Sequence, residues 1–500
     1  MADSSGFGTL NYAILFAYLA AMVGIGCLCA GKQKTTEDYF LAGRNMPWLV
    51  VGMSMFASLS SAISYLGIPG TAYKENISLL MMAVISPIVA PFLIIVFYPF
   101  YRTLHVTTSY EYILRRFGQP ARFTVSVLFL LARLGWLGAV LYAPAMTLSV
   151  VTGINLTVAI LAMGVLATIY TVLGGLSAVL WTDLVQFVIL VAGAVWVAIS
   201  LCANVPGGVS GILEIARQTD HLQVIDWRFS LVEMTGIAVG VSYFFQLMQD
   251  YGTDQVTVQR LMAVKTFRGM AKAVIFNSLA DLVMVSLLLF VGLGLFAYYH
   301  SFPDAIVDKI SGDRVLPYYI IHSLPAGVSG LLITAIFAAA MSSMDSGINS
   351  MTTVVVTDLV KPLRTRQYTE QHDVRLARLL TLLLGSLATG VAFYVSGFEQ
   401  IIKASSAFLG LFAGPILALF LLGILTRRAN FRGWLAGVLV AIPATIWLQY
   451  GTNVHFIYYF PFCFAISGCV GYAASVVVDV FGGSSMADRK LTIWGREWPS

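Results

Sequence analysis

The chain has 500 residues, 58% of them hydrophobic, a mean hydropathy of +0.84 and only 53 charged side chains, 29 Lys and Arg against 24 Asp and Glu. Soluble domains carry about 25% charged residues, so this composition excludes a soluble globular protein and places most of the chain in a bilayer. The net charge of +5 is too small for a nucleic-acid surface, and the five cysteines, all in or beside apolar runs, read as buried thiols rather than disulfides or metal ligands.

Thirteen apolar runs have the length that a hydrocarbon core of about 30 Å requires. In chain order they are Leu10 to Ala30, Trp48 to Tyr73, Ser78 to Leu104, Phe123 to Val151, Leu156 to Leu173, Leu176 to Ala203 and Leu231 to Gly252. Ala273 to Tyr299, Leu324 to Val355, Leu379 to Val395, Ile401 to Leu425, Trp434 to Tyr450 and Phe456 to Val480 follow. Residues 1–480 therefore read as one transmembrane domain and 481–500 as a short inner tail. No basic residue precedes the first run, so it reads as a span and not as a cleaved signal peptide.

Orientation follows from the basic residues, because short inner loops carry the Lys and Arg excess. Connections after odd-numbered spans, with the C-terminal tail, hold 22 of them, including Arg115, Arg116 and Arg122 after the third span and Arg260, Lys265, Arg268 and Lys272 after the seventh. Five fall on the other side: Lys74, Arg217, Arg228, Lys309 and Arg314. This distribution places the N-terminus outside and the C-terminus inside.

With Asp250 and Asp479 set aside at span ends, six uncounted charges remain within apolar runs: Arg133, Lys403, Asp183, Glu233, Asp281 and Asp345. A charge at membrane depth persists mainly where it meets a partner or an aqueous cavity, which makes each a candidate for function. Glu233 lies near an outer end, and Lys403 follows Glu399 by four residues as a helix-face pair, so both read as structural.

Two spans are rich in oxygen at the expected bilayer centre. Span two carries Ser58, Ser60, Ser61 and Ser64, and span nine carries Ser342, Ser343, Asp345 and Ser346. Such hydroxyls either let helices pack closely or, with carbonyls and a carboxylate, replace the water of a hard cation such as Na⁺; Asp345 beside the serines favours the cation. Gln246, Gln249, Asp250 and Gly252 interrupt span seven. If spans two to six and seven to eleven are two five-helix halves, about 48–203 and 231–425, with one helix before (10–30) and two after (434–480), then spans two and seven each open a half. Paired interruptions at corresponding positions point to a transport site on inverted repeats.

Several segments then stand together: A-G-R-N-M-P-W in the first inner loop, T-S-Y-E-Y-I-L-R-R-F-G after the third span, V-L-Y-A-P-A in the fourth, G-G-L-S-A-V-L-W-T-D-L-V-Q entering the sixth, D-Q-V-T-V-Q-R after the seventh and F-A-A-A-M-S-S-M-D-S-G-I-N-S in the ninth. Over residues 8 to 480 the chain resembles the sodium/solute symporter family. The resemblance implies an all-α polytopic protein of the cell membrane with the LeuT-like fold, ten core helices in two inverted halves. It also implies a principal sodium site formed by the carbonyls of Ala57, Ser60 and Ala339 with the hydroxyls of Ser342 and Ser343. Some members bind a second sodium at the W-T-D aspartate. Asp183 matches that residue and Ser346 one hydroxyl, while Asp345 stands where a serine or threonine often does. Asp183 either binds that second ion or organises hydrogen bonds beside the first site.

The resemblance places the solute near the sodium ion, against Ser61 and Ser64 of span two and Gln249 and Asp250 of span seven. Arg133, about ten residues into its span, has the guanidinium that binds a carboxylate bidentately, and it lies one turn before Trp136, where the sialic-acid branch carries its arginine. Around Arg133 the sequence is closer to the vitamin, monocarboxylate and iodide branch. The favoured solute is therefore a small organic anion, with a sugar or sialic acid as the alternative.

Other classes fit less well. The six histidines lie near span ends or in loops without metal-ligand spacing, so neither a membrane enzyme nor an organic cofactor is expected, and sodium is the only metal. A channel or sensor on this scaffold calls for a signalling domain that the tail is too short to supply. The remaining expectations are a monomer with no nucleic-acid partner and no glycosylation at Asn76 or Asn155, whose sequons lie in very short loops.

Overall fold

The computed structural model describes residues 8–30, 35–104, 106–224, 228, 230–233, 235–364, 369–397, 401–482 and 489–495. Among them the regular structure is all helical, apart from one isolated bridge between Met46 and Val264. The principal helices are α1 (Thr9–Ala30), α2 (Trp48–Leu59), α3 (Ala62–Lys74), α4 (Leu80–Val96), α5 (Gln119–Thr152), α6 (Leu156–Asn204) and α7 (Gly236–Gly252). They continue as α8 (Gln255–Met262), α9 (Phe267–Ser301), α10 (Val328–Val354), α11 (Glu370–Val395), α12 (Ile401–Leu425), α13 (Phe431–Gly451) and α14 (Tyr459–Gly482).

Among the described residues, ten helices are long and apolar enough to cross a membrane, and α2 with α3 form an eleventh span bent by 61°. That is fewer than the thirteen spans read from the sequence, and the difference has two local causes. The fifth and sixth runs form one helix, α6, bent at Gly175 (φ of 54°, ψ of −163°) without a loop. Helix α7 has 17 residues and stops at Gly252.

The interruption expected inside span seven also moves. Gln246, Gln249, Asp250 and Gly252 all stay helical, and the break falls at Thr253 and Asp254. There the Asp254 carboxylate accepts the Val256 amide at 2.8 Å and starts α8, an N-cap that competes with continuing the previous helix. Span two does break within its serine cluster: Ser60 has ψ of 77° and Ser61 ψ of 166°, so α2 ends and α3 begins in mid-span.

Helix α10 is the axis of the protein. Of its most apolar stretch 94% is buried inside the protein, against 28% for α1 and 22% for α14, which leave most of their surface to lipid. Two basic residues counted with the inner loops prove to be buried. Arg122 pairs with Asp358 in a π-helical turn (Val355–Val360) that follows α10, and Arg260 of α8 is 1% exposed. Removing both leaves the charge asymmetry intact. Glu233 is exposed, 3.9 Å from Arg228, whereas Glu399 and the side chain of Lys403 lie outside the described residues. At the C-terminal end, the Trp494 indole donates to the Leu425 carbonyl at 3.0 Å and the Tyr112 hydroxyl to that of Leu491 at 2.9 Å, which docks residues 489–495 against the end of α12.

Candidate functional site

The break between α2 and α3 frees backbone carbonyls at the end of α2, because the residues that should donate to them leave the helix. Two serines of α10 meet those oxygens. The Ser342 hydroxyl donates to the Ala57 carbonyl at 2.7 Å, with the Ala339 carbonyl of its own helix 3.0 Å away, and the Ser343 hydroxyl donates to the Ser58 carbonyl at 2.9 Å. All five residues are 1% exposed or less. The structure thus brings together Ala57, Ala339, Ser342 and Ser343. Ser60 lies in the break itself and borders the neighbouring cavity, while Ser58, unassigned in the sequence reading, supplies the carbonyl that faces Ser343.

A second oxygen cluster adjoins the first through Ser58. Asp183 of α6 accepts from the hydroxyls of Ser54 (2.5 Å) and Ser58 (3.1 Å) and from the Arg260 guanidinium (3.1 Å). Arg260 also donates through Nε to Ser54 (2.9 Å), through Nη1 to the Val256 carbonyl (3.0 Å) and to the Ser346 hydroxyl. Ser346 lies 2.9 Å from the Ser58 hydroxyl and donates to Asp345 at 3.1 Å. Asp183, Asp345 and Ser346 therefore do converge. Arg260 pairs with Asp183, whose Oδ1 is buried without a hydrogen-bond partner. An unsatisfied carboxylate oxygen in a buried, oxygen-lined cluster fits a monovalent cation.

Beside the α2–α3 break lies a cavity of about 220 Å³. Ser60, Ser61, Ser64, Arg133, Trp136 and Asp250 all border it. Gln249 does not: it is 2% exposed, and its amide donates to Asp254 at 3.3 Å. Arg133 reaches the cavity with its charge already engaged, since its guanidinium pairs with Asp254 and lies 4.6 Å from the Trp136 ring, a cation–π arrangement. It is not the free carboxylate receptor that its position in the sequence suggested. Asp281 of α9 also borders the cavity, as do Gln246 of α7 and Tyr243.

The residues that sequence reasoning passed over, Asp254, Gln259 and Arg260, all lie in D-Q-V-T-V-Q-R. All eight residues of α8 are buried, and the Gln259 amide donates to the Phe40 carbonyl (2.7 Å) and to Asn349 (2.8 Å) and Thr353 (3.0 Å). The signal was present as alternating Val256 and Val258 between polar residues, a segment with no solvent-facing side; its place after a predicted span made it read as a loop.

The profile of the Sodium:solute symporter family matches residues 39–441. The sodium/sialic acid symporter NanT of Aliivibrio fischeri is 34% identical over 91% of this chain and 91% of its own length. The sodium-coupled monocarboxylate transporter 2 of Bos taurus is 31% identical over 91% of this chain and 74% of its own. A solved structure described as the substrate-bound outward-open state of a Na⁺-coupled sialic acid symporter superposes with a TM-score of 0.89 at 30% identity, covering 96% of this chain and 99% of that one. The fold and the broken-helix site define a multi-pass membrane transporter with the LeuT-like architecture. This chain belongs to the sodium/solute symporter family.

Proposed function

We propose that the protein imports a small organic solute with sodium by alternating access, from an orientation with the N-terminus outside and the C-terminus inside. The observation that carries this reading is the meeting of the Ser342 and Ser343 hydroxyls with carbonyls freed by the α2–α3 break. Sodium at Ala57, Ser60, Ala339, Ser342 and Ser343 would exchange those hydrogen bonds for ion coordination. It would thereby hold the break against α10 and shape the cavity that Ser60 borders. The inward-negative potential contributes about 2.3 kcal/mol per charge per 100 mV to each inward step. A second sodium is assigned to Asp183, Asp345 and Ser346, on the strength of their convergence and the unsatisfied Asp183 oxygen.

The solute occupies the cavity against Ser61, Ser64, Trp136 and Asp250. Gln249 and Arg133 act behind it, by holding Asp254. The sialic-acid symporters among the relatives favour a sugar or sialic acid over the small organic anion preferred from the sequence. The lining supports a hydroxyl-rich solute, since serine, amide and carboxylate oxygens suit sugar hydroxyls and Trp136 offers an aromatic wall.

Ser343→Ala tests the reading. In proteoliposomes it should abolish sodium-dependent uptake while insertion and thermal stability without sodium stay near the parent's. Unaltered sodium dependence would sink the site assignment.

A further inference from the structure

The solute cavity holds more negative charge than its described surroundings cancel. Three charged side chains border it: Arg133, Asp250 and Asp281. Arg133 is neutralised from behind by Asp254, whose carboxylate is itself fixed by the Val256 amide and the Gln249 side chain. Asp250 comes from α7 and Asp281 from α9, and neither has an ion-pair partner among the described residues. Two carboxylates from different helices therefore face one partly enclosed space, with hydroxyl and amide groups of Ser61, Ser64 and Gln246 and the ring of Tyr243 completing the wall.

A solute with a carboxylate would bring a third negative charge there, against a guanidinium whose Nη2 and charge are already paired with Asp254. Like charges at short range in a poorly screened site are strongly unfavourable. A solute bearing an ammonium group has the opposite effect, since it supplies three charge-assisted donors to two acceptor-only side chains.

On the reading of this cavity as the solute site, we infer that the transported solute is hydroxyl-rich and carries a protonated amine, held between Asp250 and Asp281. An amino sugar or a smaller amino alcohol has that chemistry; of the two solutes proposed above, this selects the sugar and sets aside sialic acid, a sugar acid. Arg133 is a positioning residue for this site: it keeps Asp254 from adding a third carboxylate.

The test uses purified full-length protein and two matched probe sets, glucosamine, glucose and glucuronate, and ethanolamine, ethylene glycol and glycolate, with sialate added. Thermal stability is read in sodium and in potassium. The expected result is stabilisation in sodium by an amine at concentrations at least tenfold below its neutral and acidic counterparts. Asp250→Asn and Asp281→Asn should each erase that tenfold advantage while stabilisation by sodium alone, which reports a folded protein, persists. Preference for glucuronate, glycolate or sialate overturns the charge inference and leaves sodium symport standing. An amine advantage that survives both substitutions, or stabilisation by sodium to which no amine adds, overturns it as well. Absence of any stabilisation by sodium, with or without solute, overturns the symport reading itself.

Discussion

The two helix breaks of this protein are built from different materials and do different work. At Ser60 and Ser61 the chain leaves the helix with no side-chain cap, and the carbonyls of Ala57 and Ser58 are met only by hydroxyls of α10. At Thr253 and Asp254 the break closes on itself. Asp254 caps α8 and holds Arg133, and the Thr253 hydroxyl donates back to the Gln249 carbonyl at 3.2 Å. A hydroxyl can rotate away and yield its carbonyl to an ion, whereas a carboxylate locked to a guanidinium and a backbone amide has no such freedom. Interrupting a helix is thus not enough to make an ion site; the freed oxygens must also be held weakly.

Substitutions should separate the two breaks by the size and kind of their effects. The largest loss is expected at Arg260, which ties the open break to α6. Arg260→Met leaves Asp183 buried and uncompensated, at a cost of about 3–5 kcal/mol, and Asp183→Asn on top of it should restore much of the loss in thermal unfolding. Arg133→Met at the sealed break should cost less, roughly 2 kcal/mol, because Arg133 itself borders a cavity from which water can reach the space it vacates beside Asp254. Sodium should still stabilise that variant. At the open break the order reverses: Ser342→Ala removes one hydrogen bond, about 1 kcal/mol without sodium, yet should weaken the sodium-dependent stabilisation at least tenfold. Thr253→Ala is the smallest change, about 0.5 kcal/mol, with sodium dependence intact. A Thr253 variant as impaired in sodium response as the Ser342 variant would erase the distinction between the breaks.

The serines and the lone aspartates were legible in the sequence because a polar residue in an apolar run has no neutral explanation, and the structure gathers Ser342, Ser343, Asp183, Asp345 and Ser346 as that logic required. What the sequence concealed was partnership. Asp254 sits 121 positions from Arg133, and nothing in either neighbourhood marks the other as its counter-ion. Arg260 was hidden by the averaging that makes charge counts useful: beside Lys265, Arg268 and Lys272 it looks like one more inner-loop cation, although only the others follow the end of α8. The division of the fifth and sixth runs at residues 173 and 176 falls where Gly175 bends α6, although no polar connection separates them.

Two of the oxygens proposed for the principal sodium site belong to the backbone of Ala57 and Ala339, each with no exposed surface. Every residue type carries a carbonyl, so such a ligand has no identity of its own to lose. Mutational scanning at these two positions should therefore report bulk and not chemistry: Gly or Ser tolerated, Val or Leu not. Transport could be altered there by a side chain that never touches the ion, and a tally of which residue types vary would miss these ligands, like the Ser60 carbonyl, altogether.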